Sequence, residues 1–284
     1  MNITKGLGTY TFECVLIYMK FMIRGTTLNA SETCYNMNEK ENRLLESYEE
    51  RLLLESIQTG SKCPRAILYL DLGVCPARFV VMKYKLNFLH YILNQHEQSL
   101  LKRFFNAQLE QPTKGDWVSE MKHLIMELKI ASSFEEIMTM KNSTFEKIVN
   151  DKLKAEAFNY LKNKVKSKGS QIDYGERLEM QNYLKPNKVI TFQEQVEIFS
   201  FGSEMNELSL KYQEPEANKK CICNRDLNNQ HLYECIHLNK GVELKFKYEK
   251  ILNGTIHQQK YILNILKKNL AIHQKMTLAS RADN

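Results

Sequence analysis

The chain has 284 residues, a net charge of +7, 43% hydrophobic and 26% charged residues, which suits one large domain or two to three small ones at about 100–200 residues each. This is the composition of a folded globular protein, and only five prolines interrupt it, so long helices are expected. The positive charge is concentrated: residues 141–168 hold eight lysines against Glu146, Asp151 and Glu156, and residues 213–284 hold ten lysines and two arginines against seven acids. Local excess of this kind marks a polyanion binder, with two solvated helix faces as the alternative.

In chain order, residues 10–23 form an apolar stretch interrupted by Glu13 and Lys20. It is shorter than the ~20 residues a membrane span requires and reads as a buried amphipathic helix, so no membrane partner is expected. Leu44, Leu45, Tyr48, Leu52 and Leu53 recur at three- and four-residue steps, predicting a helix with these residues inward and acids outward. Residues 66–72 are a short apolar piece between Pro64 and Gly73. Pro76 suits the first turn of a long helix with Phe79, Met82, Leu86, Leu89, His90 and Ile92 inward, and His90 there reads as a satisfied core residue.

Gln-Pro-Thr-Lys-Gly at 111–115 is a domain boundary or a tight connection. The only tryptophan, Trp117, opens the next helix. Ser132 with Glu135, Ser143 with Glu146, and Thr191 with Glu194 match capping boxes, in which hydroxyl and carboxylate satisfy the free amides of a helix start. The helix from Ser143 buries Phe145, Val149, Leu153, Phe158 and Leu161, then runs into Lys162, Lys164, Lys166 and Lys168. Two residues turn a helix by about 200°, so these lysines alternate between opposite flanks; the helix ends at residues 168–170. From Val242 to Glu249 the sequence alternates with period two, predicting a short strand or extended segment. Asn253-Gly254 breaks it, and Thr255 caps a final helix carrying Ile256, Tyr261, Ile262, Ile265 and Leu266, with Lys267 and Lys268 at its far end. The fold class is therefore mainly α, an array of helix bundles with a small Cys/His knuckle near the C-terminus, divided as 1–111, 112–212 and 213–284.

Seven cysteines, an odd number, with no secretory leader point to a reducing, intracellular compartment, nucleus or cytoplasm. Cys221, Cys223, His231 and Cys235 place four candidate ligands within 15 residues, and soft thiolates with an imidazole are what a tetrahedral zinc ion takes. His237 is a spare. One residue between Cys221 and Cys223 sends their side chains to opposite sides of an extended chain; the usual metal-binding turn has two intervening residues and would put its first cysteine at Lys220. Zinc, ordinary thiols and a distorted site are all open on this spacing. Catalytic signatures are missing: Gly6-Leu7-Gly8 lacks the context of a phosphate loop, there is no Gly-x-Ser-x-Gly elbow, and Asp71 stands alone rather than beside a second aspartate. No enzyme is expected.

Residues 7–13, 38–54, 66–73 with Pro76, Arg78 and Phe79, 112–118 (Pro-Thr-Lys-Gly-Asp-Trp-Val) and 230–235 (Gln-His-Leu-Tyr-Glu-Cys) resemble, in this order, the C-terminal region of LINE-type, non-LTR retrotransposon reverse transcriptases. The resemblance implies a chain that begins after the polymerase core with its Asp-Asp motif: a thumb-like region over 1–111, a helical linker over 112–212, and a Cys-Cys-His-Cys knuckle. It carries the knuckle ligands onto Cys223, His231 and Cys235, with the first near Lys220 or Cys221. Cys34 stands where the family often has tryptophan. The function implied is binding of RNA template or target DNA through Lys162, Lys164, Lys166, Lys168, Lys219, Lys220, Lys267 and Lys268. The alternative is a helical interaction module, or a non-functional remnant, that packs against a polymerase core or itself.

Overall fold

The computed structural model describes residues 12–33, 37–56, 63–113, 115–167, 176–203, 220–221 and 223–282, and all regular structure among them is helical. Gly6 to Gly8, Cys34, Lys168, Lys219 and the helix end at 168–170 lie outside the described residues.

The first helix, α1 (Phe12–Tyr18), passes through a π-helical turn at Met19–Ile23 into α2 (Arg24–Thr27). Phe12, Val15 and Met19 are buried, but Ile17, Phe21 and Met22 are exposed, so the expected buried amphipathic helix has an apolar outer face as well.

In α3 (Glu39–Ser56) the inward face differs from the expected one. Leu52 and Leu53 are buried, whereas Leu44 and Tyr48 are more than half exposed and Glu46 and Glu49 are buried in their place. The reason is charge pairing. Arg78 on α5 (Ala77–Leu93) donates to Glu46 (2.5 Å) and Glu39 (2.8 Å). Arg24 donates to Glu49 and to the Cys75 carbonyl, and Tyr69 adds its hydroxyl to Glu49 at 3.3 Å. Buried carboxylates are tolerable only with such partners.

The apolar piece at 66–72 is the helix α4 (Arg65–Leu72), buried on every side from Ala66 onward. Gly73 ends it at φ +64°, and a Cβ there would lie 2.2 Å from the backbone nitrogen of Met180. This close approach lays residues 178–184 on α4: Gln181 N donates to the Asp71 carbonyl (2.9 Å), and the Tyr183 hydroxyl donates to the fully buried Asp71 carboxyl at 2.6 Å.

Pro76 sits at the N-cap of α5, whose Phe79, Leu86, Leu89, His90 and Ile92 are buried as expected, with Met82 partly so. His90 is a core residue: its ring stacks on Phe145 and Nε2 lies 3.2 Å from the Met140 carbonyl. Around α5 pack α3, α6 (Leu100–Glu110), α7 (Trp117–Glu127), α8 (Phe134–Thr139) and α9 (Asn142–Lys166). After the break, Asp116 accepts from the amides of Thr113 (2.6 Å) and Ser119 (2.7 Å), capping α7, while Lys114 lies outside the described residues. One apolar core runs from Phe12 to Leu266 and crosses this point.

Of the three expected capping boxes, that at Thr191 and Glu194 is present at the start of α10 (Phe192–Gly202). The second is shifted by one residue: Ser133 caps α8, while Ser132 donates to Glu136. The third is absent, because α9 starts at Asn142 and puts Ser143 inside the first turn; the Lys141 carbonyl accepts from Thr144 and Phe145 instead. Further on lie α11 (Asn229–Glu234), α12 (Lys250–Asn253) and α13 (Ile256–Ala282), the last packed on α10, α11 and α12. Thr255 and Gln258 exchange the capping bonds at its start.

No strand forms over residues 242–249. The chain is extended and its burial alternates, with Leu244, Phe246 and Tyr248 inward. Among the described residues no second segment pairs with it; the hydroxyl of Tyr233 meets the carbonyl of Phe246 (2.7 Å), and that of Tyr261 meets the carbonyl of Glu243. No helix among the described residues is long and apolar enough to cross a membrane.

Burial raises the Asp71 carboxyl to about 7, against which the Tyr183 hydrogen bond acts only in part. A folded-state value above the unfolded one means that the native state holds the proton more tightly, so this group's contribution to stability declines as pH rises from about 4 to about 7. Asp71→Asn removes that slope: the stability of the variant relative to the parent, from urea unfolding, is expected to increase across this window and to level off above pH 7.

Candidate metal centre

The sequence around Cys221 folds back on itself. Lys220 and Asp226 form an isolated antiparallel bridge, the amide of Cys221 donates to the carbonyl of Arg225 (2.8 Å), and the amide of Asn224 donates to the carbonyl of Cys221 (2.8 Å). Asn224 takes φ +68°, the left-handed conformation that asparagine enters more readily than most residues. The bond from the Asn224 amide back to Cys221 folds the chain here, in place of the extended run that would part the two cysteine side chains. Backbone amides point at both sulfurs, that of Cys223 toward Cys221 and that of Arg225 toward Cys223.

His231 and Cys235 come from α11 and the residue that ends it. Asn228 caps this helix by accepting from the His231 amide at 2.7 Å. A separation of four residues stacks two side chains on one helix face, and this face is turned toward the hairpin. Cys221 Sγ lies 3.6 Å from Cys235 Sγ, Cys223 Sγ 3.8 Å from Cys235 Sγ, and His231 Nε2 3.1 Å from Cys223 Sγ. All four ligand atoms fall within 4.8 Å of one another. A tetrahedral ion with sulfur at about 2.3 Å and nitrogen at about 2.0 Å requires sulfur pairs about 3.8 Å apart and sulfur–nitrogen pairs about 3.5 Å apart. The Cys3His group can hold a metal ion, with Cys221 supplying the fourth ligand; the spare, His237, is exposed and outside the group.

Burial pushes the Cys221 thiol up to about 12. Cys223 lies below the usual thiol value because the Arg225 amide points at its sulfur. His231 is lowered by burial and then by the nearby Arg225 charge, which favours the neutral imidazole that a metal binds.

Two residues that sequence reasoning did not single out hold this centre on the scaffold. Asn239 donates to the carbonyls of Tyr233 (2.6 Å) and Cys235 (3.0 Å). Asn269, fully buried on α13, donates to the Leu232 carbonyl (2.8 Å) and to Asn239 Oδ1 (3.0 Å). The free carbonyls at the end of α11 are thus satisfied by a chain of amides. Asn269 and His273 follow Ile262 and Leu266 at helical spacing, and this polar continuation of an apolar stripe was the available signal.

The lysines expected to contact phosphate do not form one cluster. Lys162 lies over the Phe158 ring (5.3 Å) and Lys164 over Tyr160 (4.2 Å), a ring shared with Arg78 (4.7 Å). Burial, then the Arg78 charge, lowers Lys164. Lys166 and Lys268 are exposed. Lys220 pairs with Asp226 (2.5 Å) and Lys267 with Glu197 (2.9 Å).

No family model, no curated protein and no solved structure matches the chain.

The purified chain is expected to bind one divalent metal per molecule, and His231→Ala or Cys223→Ser to lose it, as read by mass spectrometry of the native protein. Affinity is expected to fall as pH drops and the thiols regain protons. Asn239→Ala leaves all four ligands in place but removes the side-chain bonds to the carbonyls of Tyr233 and Cys235 and the tie to Asn269; about 10- to 100-fold weaker metal binding in a competition with a chromophoric chelator is expected.

Proposed function

We propose that the chain is a non-catalytic nucleic-acid-binding protein, a helical scaffold whose C-terminal part is held by a structural zinc ion on Cys221, Cys223, His231 and Cys235. The observation that carries this reading is the arrangement of three sulfurs and one imidazole nitrogen within 4.8 Å. Soft thiolates with one imidazole at tetrahedral spacing favour zinc over the harder, oxygen-seeking ions. With Cys221 and Cys235 buried and four protein ligands, the coordination sphere is closed, so the ion supplies folding energy and not a reactive water.

Nucleic acid is the partner because basic charge gathers in two parts of the sequence and a flank of α9 presents Lys162 and Lys166 one turn apart. The likeness of residues 112–118 and 230–235 to the C-terminal region of LINE-type reverse transcriptases supports the same reading, with RNA template or target DNA as the ligand and the nucleus or cytoplasm as the place. Binding to labelled RNA and DNA is expected to weaken steeply with salt; three phosphate contacts on duplex DNA give roughly a forty-fold loss between about 50 and 200 mM. Failure to retain either nucleic acid at low salt removes the proposal.

One observation favours a second reading, a helical protein-interaction module. On α6, Leu100 is 68% and Phe104 63% exposed, an apolar pair one turn apart of the kind that protein partners cover. Concentration-dependent association in sedimentation, abolished by Phe104→Glu, together with no retention on nucleic acid, would favour it.

A further inference from the structure

The three sulfurs of the metal centre are not equivalent. Cys221 is 4% and Cys235 3% exposed, whereas Cys223 is half-buried and is followed in the hairpin by the exposed Asn224, Arg225 and Asp226. A small oxidant arriving from solvent therefore meets Cys223 first. Cys235, at the end of α11, keeps its Sγ 3.8 Å from that of Cys223. An accessible thiolate with a second, sheltered sulfur beside it is the arrangement that peroxide-sensitive cysteines share. Coordination holds each sulfur in the thiolate form that reacts.

Resting on the metal reading above, we propose that the centre is also a modification site for hydroperoxides, at which Cys223 is oxidised and then joined to Cys235 in a disulfide. In the first step the Cys223 sulfur attacks one peroxide oxygen, the O–O bond breaks, and the departing hydroxide takes a proton from solvent, leaving a sulfenic acid. In the second the Cys235 thiolate attacks the Cys223 sulfur, the S–O bond breaks, and a second hydroxide leaves and is protonated. Two thiolates surrender two electrons, one hydrogen peroxide is reduced, and two protons from solvent complete two waters. The sulfurs have to close from 3.8 Å to about 2.05 Å, which side-chain rotation can supply.

Cys221 is the poorer partner for Cys223, because a disulfide across one intervening residue closes a small, strained ring. Cys235 comes from a separate element and meets no such constraint. Once it has reacted, only Cys221 and His231 remain as ligands, half of what a closed tetrahedral site requires, so oxidation empties the centre. The hairpin stays tied to α11, since the new bond joins the same two elements.

The test titrates the full, metal-loaded chain with hydrogen peroxide while a chromophoric chelator reads free zinc. The product is alkylated under denaturing conditions and digested with trypsin, which cuts after Lys220, Arg225 and Lys240. One equivalent of peroxide is expected to release the one bound metal. Residues 221–225 are expected to be recovered cross-linked to residues 226–240, with Cys221 alkylated and Cys223 not, and dithiothreitol with added zinc to restore the starting state. In Cys235→Ser the cross-link is expected to be lost and a cyclic 1,3-dione, which traps sulfenic acids, to label Cys223. Cys221→Ser is expected to keep the cross-link, and serves as a second variant should the first fail to fold. Metal retained under several equivalents of peroxide, metal released without a cross-link, or a cross-link that leaves Cys223 alkylated overturns the inference, and the metal reading stands because the chain was loaded at the start. A chain that holds no metal before peroxide is added removes both together.

Discussion

Three thiols and one imidazole gathered within 4.8 Å are poor company for one another unless a cation stands among them. A thiol is a weak hydrogen-bond donor and a weaker acceptor, so neutral sulfurs in a largely closed setting repay little of the cost of being ordered. The segment around them has a modest apolar content of its own, chiefly Leu232, Tyr233 and Leu238. The rest of the C-terminal architecture follows from keeping those four groups together: the hairpin at 220–226, the turn at Asn224, the cap at Asn228 and the amide chain from Asn239 to Asn269. Through Asn269 and through His273, whose Nε2 lies 3.4 Å from the Lys220 carbonyl, α13 serves as the strut against which the hairpin and α11 are both set.

The N-terminal part solves a different problem. There α5 is enclosed by five helices and must bury charge as well as hydrocarbon. Arg78, Lys85 and Lys102 are all buried on or next to it, held by Glu46 and Glu39, by Glu120 at 2.6 Å, and by the Leu93 carbonyl at 2.9 Å. Pairs of this kind seldom add net stability over an apolar core, but removing one partner leaves an uncompensated charge at a cost of about 3–5 kcal/mol. They therefore act as register marks, fixing which face of α3 and α7 meets α5. The same packing brings the turn at Ser31 against α5.

Helix content was legible because apolar residues recur at helical steps, and the long helices α5, α9 and α13 carry the residues their periodicity assigned. Periodicity weighs hydrocarbon only, so in α3 it turned Leu44 and Tyr48 inward when Glu46 and Glu49 had cationic partners supplied from distant Arg78 and Arg24. Cap positions failed where two hydroxyls compete, as at Ser132 and Ser133, since a one-residue shift changes nothing in the pattern. The alternation over 242–249 was read correctly as burial, but a strand also needs a neighbour, which the local sequence does not show. The Cys-x-Cys spacing left the fourth ligand open because an extended chain would part the two side chains, whereas the Asn224 amide folds back to the Cys221 carbonyl. The lysines of α9 were read as phosphate contacts on opposite flanks, although aromatic residues four positions earlier, Phe158 and Tyr160, already offered Lys162 and Lys164 a ring to lie on.

The central claim is a closed Cys3His metal centre, and X-ray absorption at the zinc edge of the loaded chain tests it most directly. The account predicts a four-coordinate shell of three sulfurs at about 2.3 Å and one nitrogen at about 2.0 Å. A shell dominated by oxygen, a coordination number above four, or fewer than three sulfurs would contradict it.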